Sequence, residues 1–251
     1  MTDRLVTGAW HPSSIEVARA ALSRRLPPRY DLDARYLFDE FARPLLRPAH
    51  SVLDVGAGRT PTYAPGDRPA GCVYAGLDLT VSELDAAPPG SYDEAIASDA
   101  TIHVPSLAGR FDAVISWQVL EHVRPLPAAI ENLRSYLRPG GQLVAQFSGT
   151  FGLFGLLSRV VPDRVTPALL DRMFDRPRTT TFPAYYHKCW ASALARTGRT
   201  WSSFEIISRH EGARYFAFSR HVQAAYLAYE EWAGRNRHDN LASYYLIVAT
   251  R

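Results

Sequence analysis

The stretch Val52-Leu53-Asp54-Val55-Gly56-Ala57-Gly58-Arg59-Thr60 constrains the fold more than any other part of this sequence. Its apolar residues read as a short strand over 51–55, buried on both faces, of the kind found in parallel sheets covered by helices. The strand carries an acidic residue and ends in a Gly-x-Gly turn. Glycine at both positions lets the chain reverse sharply and lets backbone approach a ligand with no Cβ between them. An ordinary strand-to-loop turn also contains such glycines, so the meaning of this one depends on its partners further along the chain.

Short apolar runs recur at 73–77, 94–97, 112–117 and 141–147. Leu126, Ile130, Leu133 and Leu137 have helical spacing between the last two runs, and Pro139-Gly140-Gly141 is expected to stop that helix. Residues 204–208 and 244–250 read as two further strands, with a helix over 219–233 between them. Upstream, Ser13 and Glu16 have capping-box spacing ahead of Ile15, Ala18, Leu22 and Leu26 on one helical face, and Pro27-Pro28 ends that helix. A second helix is expected over 33–46, with Leu37, Phe38, Phe41 and Leu45 as its apolar face. Strands alternating with helices predict an α/β fold, a Rossmann-like doubly wound sheet of seven strands with a helical cap. Four regions follow: an N-terminal helical cap over 1–47, an α/β core over 48–150, a helical lid inserted over 151–203, and strands and a helix over 204–251 that complete the sheet.

A chain of 251 residues, 47% apolar and 21% charged, suits one soluble domain with a cap. It has no run of about eighteen apolar residues, so no membrane-spanning helix is expected. Met1-Thr2-Asp3-Arg4 leads into no apolar segment of the secretory type, which makes the cytoplasm the expected location. Cys72 and Cys189 are too far apart in sequence for a metal knuckle. Lys188 is the only lysine among 28 Lys+Arg residues, and the arginines are scattered, so no nucleic-acid surface is expected.

Two carboxylates stand where partners of the Gly-x-Gly turn would be needed. Asp78 follows the second strand, in position to accept hydrogen bonds from both ribose hydroxyls of a nucleoside. Its alternative is a solvated loop residue or a helix N-cap. Asp99 follows the third strand and can accept from an adenine amino group beside Ala100. A cap or turn aspartate is the alternative there.

The run Phe111-Asp112-Ala113-Val114-Ile115-Ser116-Trp117-Gln118-Val119-Leu120-Glu121-His122-Val123, with Leu137-Arg138-Pro139-Gly140-Gly141 after it, carries a resemblance. It resembles the class I S-adenosylmethionine-dependent methyltransferases, in particular the small-molecule group with the VLEHV and LRPGG motifs. The resemblance covers residues 48–150 well and the last two strands weakly. It implies a last strand running antiparallel, S-adenosyl-L-methionine as cofactor, and methyl transfer to a small-molecule acceptor. Residue by residue, it assigns Asp54, Gly56 and Gly58 to the methionine moiety, Asp78 and Leu79 to the ribose and adenine, and Asp99 and Ala100 to the adenine edge. Ser116 and Trp117 fall at the end of the fourth strand, facing the sulfonium and the acceptor.

The chain departs from that pattern twice. A third glycine opening a long helix is replaced by Thr60-Pro61, with Pro65 and Pro69 beyond, so this helix is expected to be short or irregular. A dinucleotide needs a helix N-terminus aimed at its pyrophosphate, whereas S-adenosylmethionine has no phosphate. The second departure is Gln118-x-x-Glu121-His122, where some ubiquinone-pathway O-methyltransferases hold a divalent cation with Glu-x-x-Glu-His. A neutral amide weakens such a site, and no metal is expected.

His122 is the first candidate for a general base when the acceptor is a hydroxyl, and Tyr186 and His187 are the second. The latter two lie in the cluster Phe182-Pro183-Ala184-Tyr185-Tyr186-His187-Lys188-Cys189-Trp190, a candidate acceptor-pocket wall. The alternative for His122 is packing that supports its loop; for the cluster it is packing inside the cap. The expected acceptor is a hydroxyl of a natural product or saccharide, and the expected assembly is a monomer or homodimer. Two other functions compete: an NAD(P)-dependent oxidoreductase, and a catalytically inactive cofactor-binding partner protein.

Overall fold

The computed structural model describes residues 26–32, 34–152 and 184–251. Seven strands form one sheet: β1 (Ser51–Val55), β2 (Val73–Asp78), β3 (Glu94–Ala97), β4 (Phe111–Trp117), β5 (Leu137–Ser148), β6 (Ser203–Arg209) and β7 (Tyr244–Thr250). Their order is β3-β2-β1-β4-β5-β7-β6. The first five pair in parallel, and β7 runs antiparallel to β5 on one side and β6 on the other. The expected α/β class, the seven strands and the antiparallel last strand are all present.

Helices α1 (Ala34–Ala42), α2 (Val81–Asp85), α3 (Leu126–Tyr136), α4 (Ala191–Thr197) and α5 (Arg220–Arg235) accompany the sheet. Consecutive strand residues point to opposite faces, which divides the core in two. Leu53, Val114, Leu143 and Ile247 pack with Ala129, Ile130 and Leu133 of α3 and Leu194 of α4. Val52, Ile115, Val144 and Leu246 pack with Phe38 and Ala42 of α1. Both faces are therefore dry, which is why these strands read as continuous apolar runs.

Two helix ends differ from the sequence reading, and proline explains both. The helix expected over 33–46 ends at Ala42 and continues only as a 3-10 turn, Arg43–Leu45. Pro44 has no N–H for the helical ladder and disfavours helical backbone at Arg43. Asp33 lies outside the described residues. Similarly, α3 stops at Tyr136, and the Leu137-Arg138-Pro139-Gly140-Gly141 segment begins β5. Arg138 precedes a proline and is pushed to extended backbone, so the turn signal there opens a strand.

Between β1 and β2 the chain forms only a 3-10 turn, Pro65–Asp67, so the helix expected to be short is absent. The helix read around Ser13, Glu16, Ile15, Ala18 and Leu22 lies outside the described residues, as do residues 153–183 of the expected lid. The described end of that region joins the core, burying Cys189, Leu194 and Trp201. Among the described residues, no helix is long and apolar enough to cross a membrane.

Candidate active site

Parallel pairing brings the C-terminal ends of β1 to β4 to one edge of the sheet. Val55 registers with Leu77 and Ser116, and Asp78 with Ala97. The turn after β1 is shaped by its glycines. Gly56 has φ 75°, its N–H donates to Leu77 O at 2.7 Å, and a Cβ there would lie 2.2 Å from Val119 Cγ2. Gly58 has φ 48°, and a Cβ on it would lie 3.3 Å from Asp78 Oδ2. The turn threads between the end of β2 and the loop after β4, where a side chain would fill the space.

Asp54 is fully buried. Its Oδ2 accepts from the Thr62 N–H and the Tyr74 hydroxyl, each at 2.7 Å, and its Oδ1 accepts from Thr62 Oγ1 at 2.7 Å. Burial raises its carboxyl above the ordinary range, and these donors pull the other way. The carboxylate thus clasps the loop that continues from the glycine turn. Tyr92 closes the same loop, donating to Gly58 O at 2.7 Å.

Asp78 is half-buried at the end of β2. Burial raises its carboxyl, opposed by hydrogen bonds from the Leu79, Thr80 and Gly58 N–H groups. It is not the N-cap of α2: Thr80 holds that place, its Oγ1 accepting from the Glu83 N–H at 3.4 Å. Leu79 beside it is 62% exposed, an apolar side chain left in solvent at the cleft. Arg59 pairs with Glu83 at 2.6 Å and ties the loops after β1 and β2 together. Asp99 Oδ1 accepts the N–H and hydroxyl of Thr101, both at 2.8 Å, and Ala100 O accepts Asn132 Nδ2 at 2.9 Å, which anchors the turn to α3.

Ser116 is buried and donates to Val55 O at 3.1 Å. Trp117 sets its ring edge-on to Phe38, centroids 5.1 Å apart, under the Arg35 guanidinium at 4.9 Å. Gln118 adopts φ 55° and donates its N–H to Gln146 O at 2.7 Å. A 3-10 turn, Leu120–His122, follows, and half-buried His122 ends it. Glu121 is buried, which raises its carboxyl; its Oε1 accepts the Ser148 N–H at 3.2 Å.

The aromatic cluster docks on this turn. Glu121 O accepts the N–H groups of Tyr185 and Tyr186 at 3.0 and 2.9 Å. The three candidate bases are therefore brought to one loop, although Phe182 and Pro183 lie outside the described residues. Burial pushes the Tyr186 phenol well above its ordinary range, so it holds its proton at neutral pH. His187 Nδ1 accepts the Leu126 N–H at 3.4 Å, capping α3. Burial and the nearby Lys188 and Arg124 lower its pKa, which keeps that acceptor neutral. Among the described residues no three His, Cys, Asp or Glu side chains gather as a metal site.

Sequence reasoning missed Thr62 and Tyr74 as the partners of Asp54, Tyr92 over the glycine turn, and Gln146 and Ser148 at the end of β5. Each owes its place to a contact distant in sequence, and no local spacing marks it.

A seven-stranded sheet of this order, with a Gly-x-Gly turn after β1 and carboxylates after β2 and β3, defines the architecture of the class I methyltransferases. A family model described as a methyltransferase domain matches residues 28–212, and the chain belongs to that family. S-adenosylmethionine is its cofactor. The chain is 30% identical over 119 residues to a ubiquinone biosynthesis O-methyltransferase of Methylobacterium nodulans, an alignment covering 46% of this chain and 47% of that protein. It thus spans about half the length of the curated relative it matches. Among solved structures it is similar to an S-adenosylmethionine-dependent methyltransferase from Mesorhizobium loti, with 17% identity, TM-score 0.49, and coverage of 88% of this chain and 100% of that one. An S-adenosylmethionine-dependent methyltransferase from Archaeoglobus fulgidus gives 16% identity, TM-score 0.47, and 89% and 96% coverage.

Proposed function

We propose that this protein transfers the methyl group of S-adenosylmethionine to a hydroxyl of a small-molecule acceptor, a natural product or a saccharide. The observation that carries the cofactor half of this reading is the half-buried Asp78 carboxylate facing the Gly58 turn, with the α2 cap left to Thr80. That arrangement fits a ribose diol, which presents two donors to one carboxylate. The glycine turn leaves room for the methionine end, and Leu79 and Ala100 offer apolar contact to the adenine beside Asp99. The acceptor half rests on the loop after β4, where the Glu121 carbonyl takes the Tyr185 and Tyr186 N–H groups and so brings the 184–188 segment against the turn that His122 ends.

When bound, S-adenosylmethionine supplies an electrophilic methyl carbon activated by the adjacent sulfonium. The protein then has to orient an acceptor oxygen in line with that carbon and remove its proton. His122 is the proposed base, since Tyr186 keeps its proton and His187 spends Nδ1 on α3. His122→Ala is expected to lower kcat by about 10²–10⁴ while S-adenosylhomocysteine binding stays unchanged. A rate within a few-fold of wild type removes His122 from the chemistry.

The cofactor assignment is tested by titrating S-adenosylhomocysteine calorimetrically. Asp78→Ala is expected to weaken binding by about 1–3 kcal/mol, the scale of lost charged hydrogen bonds in a partly dry site. Equal affinity in the variant sinks the ribose assignment, and tight binding of NAD(H) to the wild type sinks the methyl-transfer reading altogether.

A further inference from the structure

Gln146 is fully buried, and neither its Oε1 nor its Nε2 has a hydrogen-bond partner. It stands on β5 two positions before the strand ends at Ser148, in register with Trp117 of β4 and Leu246 of β7. Its side chain alternates with those of Ala145 and Phe147, so it shares the face of Val144, the one that Phe38 of α1 covers. An amide donor and acceptor left unpaired among such neighbours cost about 1–3 kcal/mol each. A leucine would satisfy the same volume without that cost. A carboxamide there, with both polar atoms unmet by the protein, calls for a partner from outside the fold.

The location says what kind of partner. Gln146 O accepts the Gln118 N–H, so the residue is joined directly to the end of β4, where the proposed transfer takes place. The aromatic ring beside it belongs to Trp117. Arg35 over that ring already donates to Asp39 Oδ1 at 2.8 Å and to Thr62 O at 2.7 Å. A charged acceptor group would therefore be desolvated here against a cation already engaged, which is costly. A neutral group that both donates and accepts suits the amide.

We propose that Gln146 is a specificity-determining residue: its Oε1 accepts from, and its Nε2 donates to, a neutral hydroxyl or carboxamide group of the acceptor lodged beside Trp117. This rests on the hydroxyl-acceptor reading above. The test uses the full chain and the variants Gln146→Leu and Gln146→Met. Three quantities are measured: melting temperature, S-adenosylhomocysteine affinity, and methyl transfer to quercetin and to methyl glucoside as polyhydroxylated probes. Both variants are expected to melt at or above the wild-type temperature and to bind S-adenosylhomocysteine within about twofold. On the probe that the wild type methylates, kcat/KM falls by about tenfold or more, mainly through KM. A melting temperature several degrees lower in both variants overturns the proposal, since the amide then has a stabilising partner inside the fold. Unchanged kcat/KM also overturns it, leaving the amide to an ordered water. A wild type that binds S-adenosylhomocysteine but methylates neither probe overturns the neutral-hydroxyl assignment. One that does not bind S-adenosylhomocysteine overturns the function proposed above.

Discussion

Gly56→Ala is expected to lower the melting temperature by about 5–15 °C and to abolish measurable binding of S-adenosylhomocysteine. Two costs add. The backbone at Gly56 sits at φ 75°, where an L side chain meets its following carbonyl, at about 1–2 kcal/mol. The new Cβ would also lie 2.2, 2.5 and 2.8 Å from Cγ2, Cγ1 and Cβ of Val119. Relieving that overlap displaces the loop after β4, at about 1–3 kcal/mol for overpacking of this kind. Both segments that move flank the proposed cofactor cleft, so affinity falls with stability.

The two costs can be separated by thermal denaturation of a double-mutant cycle with Val119→Ala. The double variant is expected to recover the steric share and keep the backbone share. Gly58→Ala is the milder comparison: it shares the backbone strain at φ 48°, but its Cβ would meet Asp78 Oδ2 at 3.3 Å, a tight contact that a shift of a few tenths of an ångström relieves. A Gly56→Ala protein with wild-type melting and binding would mean that the turn does not press against Val119 in solution.

The sequence revealed the parts of this molecule that physics makes local or periodic. Residues such as Val114 and Ile115 are adjacent and both apolar because they enter different cores, and that pattern needs no long-range information. Asp78 and Asp99 were visible because a parallel sheet puts the residue after each strand at one edge. Prolines were readable as breaks but not as boundaries: Pro44 and Pro139 act on the residue before them, so both helices stop earlier than the apolar spacing predicts. What stayed hidden was pairing across irregular chain. Thr62 lies in a loop with no period, and nothing nearby says that its N–H and hydroxyl meet Asp54. Gln146 looks like the polar phase of an alternating strand, whereas both faces of β5 are buried at that point. The role of His187 as a cap on α3 likewise depends on a contact with Leu126 that spans the residues between them.

Asp54 gives the other large effect, and two substitutions distinguish a scaffold from a ligand contact. Asp54→Ala leaves the buried Tyr74 hydroxyl and the half-buried Thr62 N–H and hydroxyl without their acceptor, and is expected to cost about 2–4 kcal/mol. Asp54→Asn keeps the shape. With its Oδ1 in place of the present Oδ2, it still accepts from Thr62 N–H and Tyr74, while its Nδ2 can donate to Thr62 Oγ1. The amide also removes a buried charge. Because the folded carboxyl titrates above its ordinary value of 3.8, the folded state holds more protons than the unfolded one just above that pH. Wild-type stability from this group therefore falls as pH rises from about 3.8 through the folded pKa, and the amide does not share that loss. Asp54→Asn is thus expected to melt at or above wild type at pH 7, with the difference closing toward pH 4. Retained S-adenosylhomocysteine affinity in that variant assigns Asp54 to holding the 56–63 loop. A large loss of affinity in an equally stable protein assigns the charge itself to the methionine end of the cofactor.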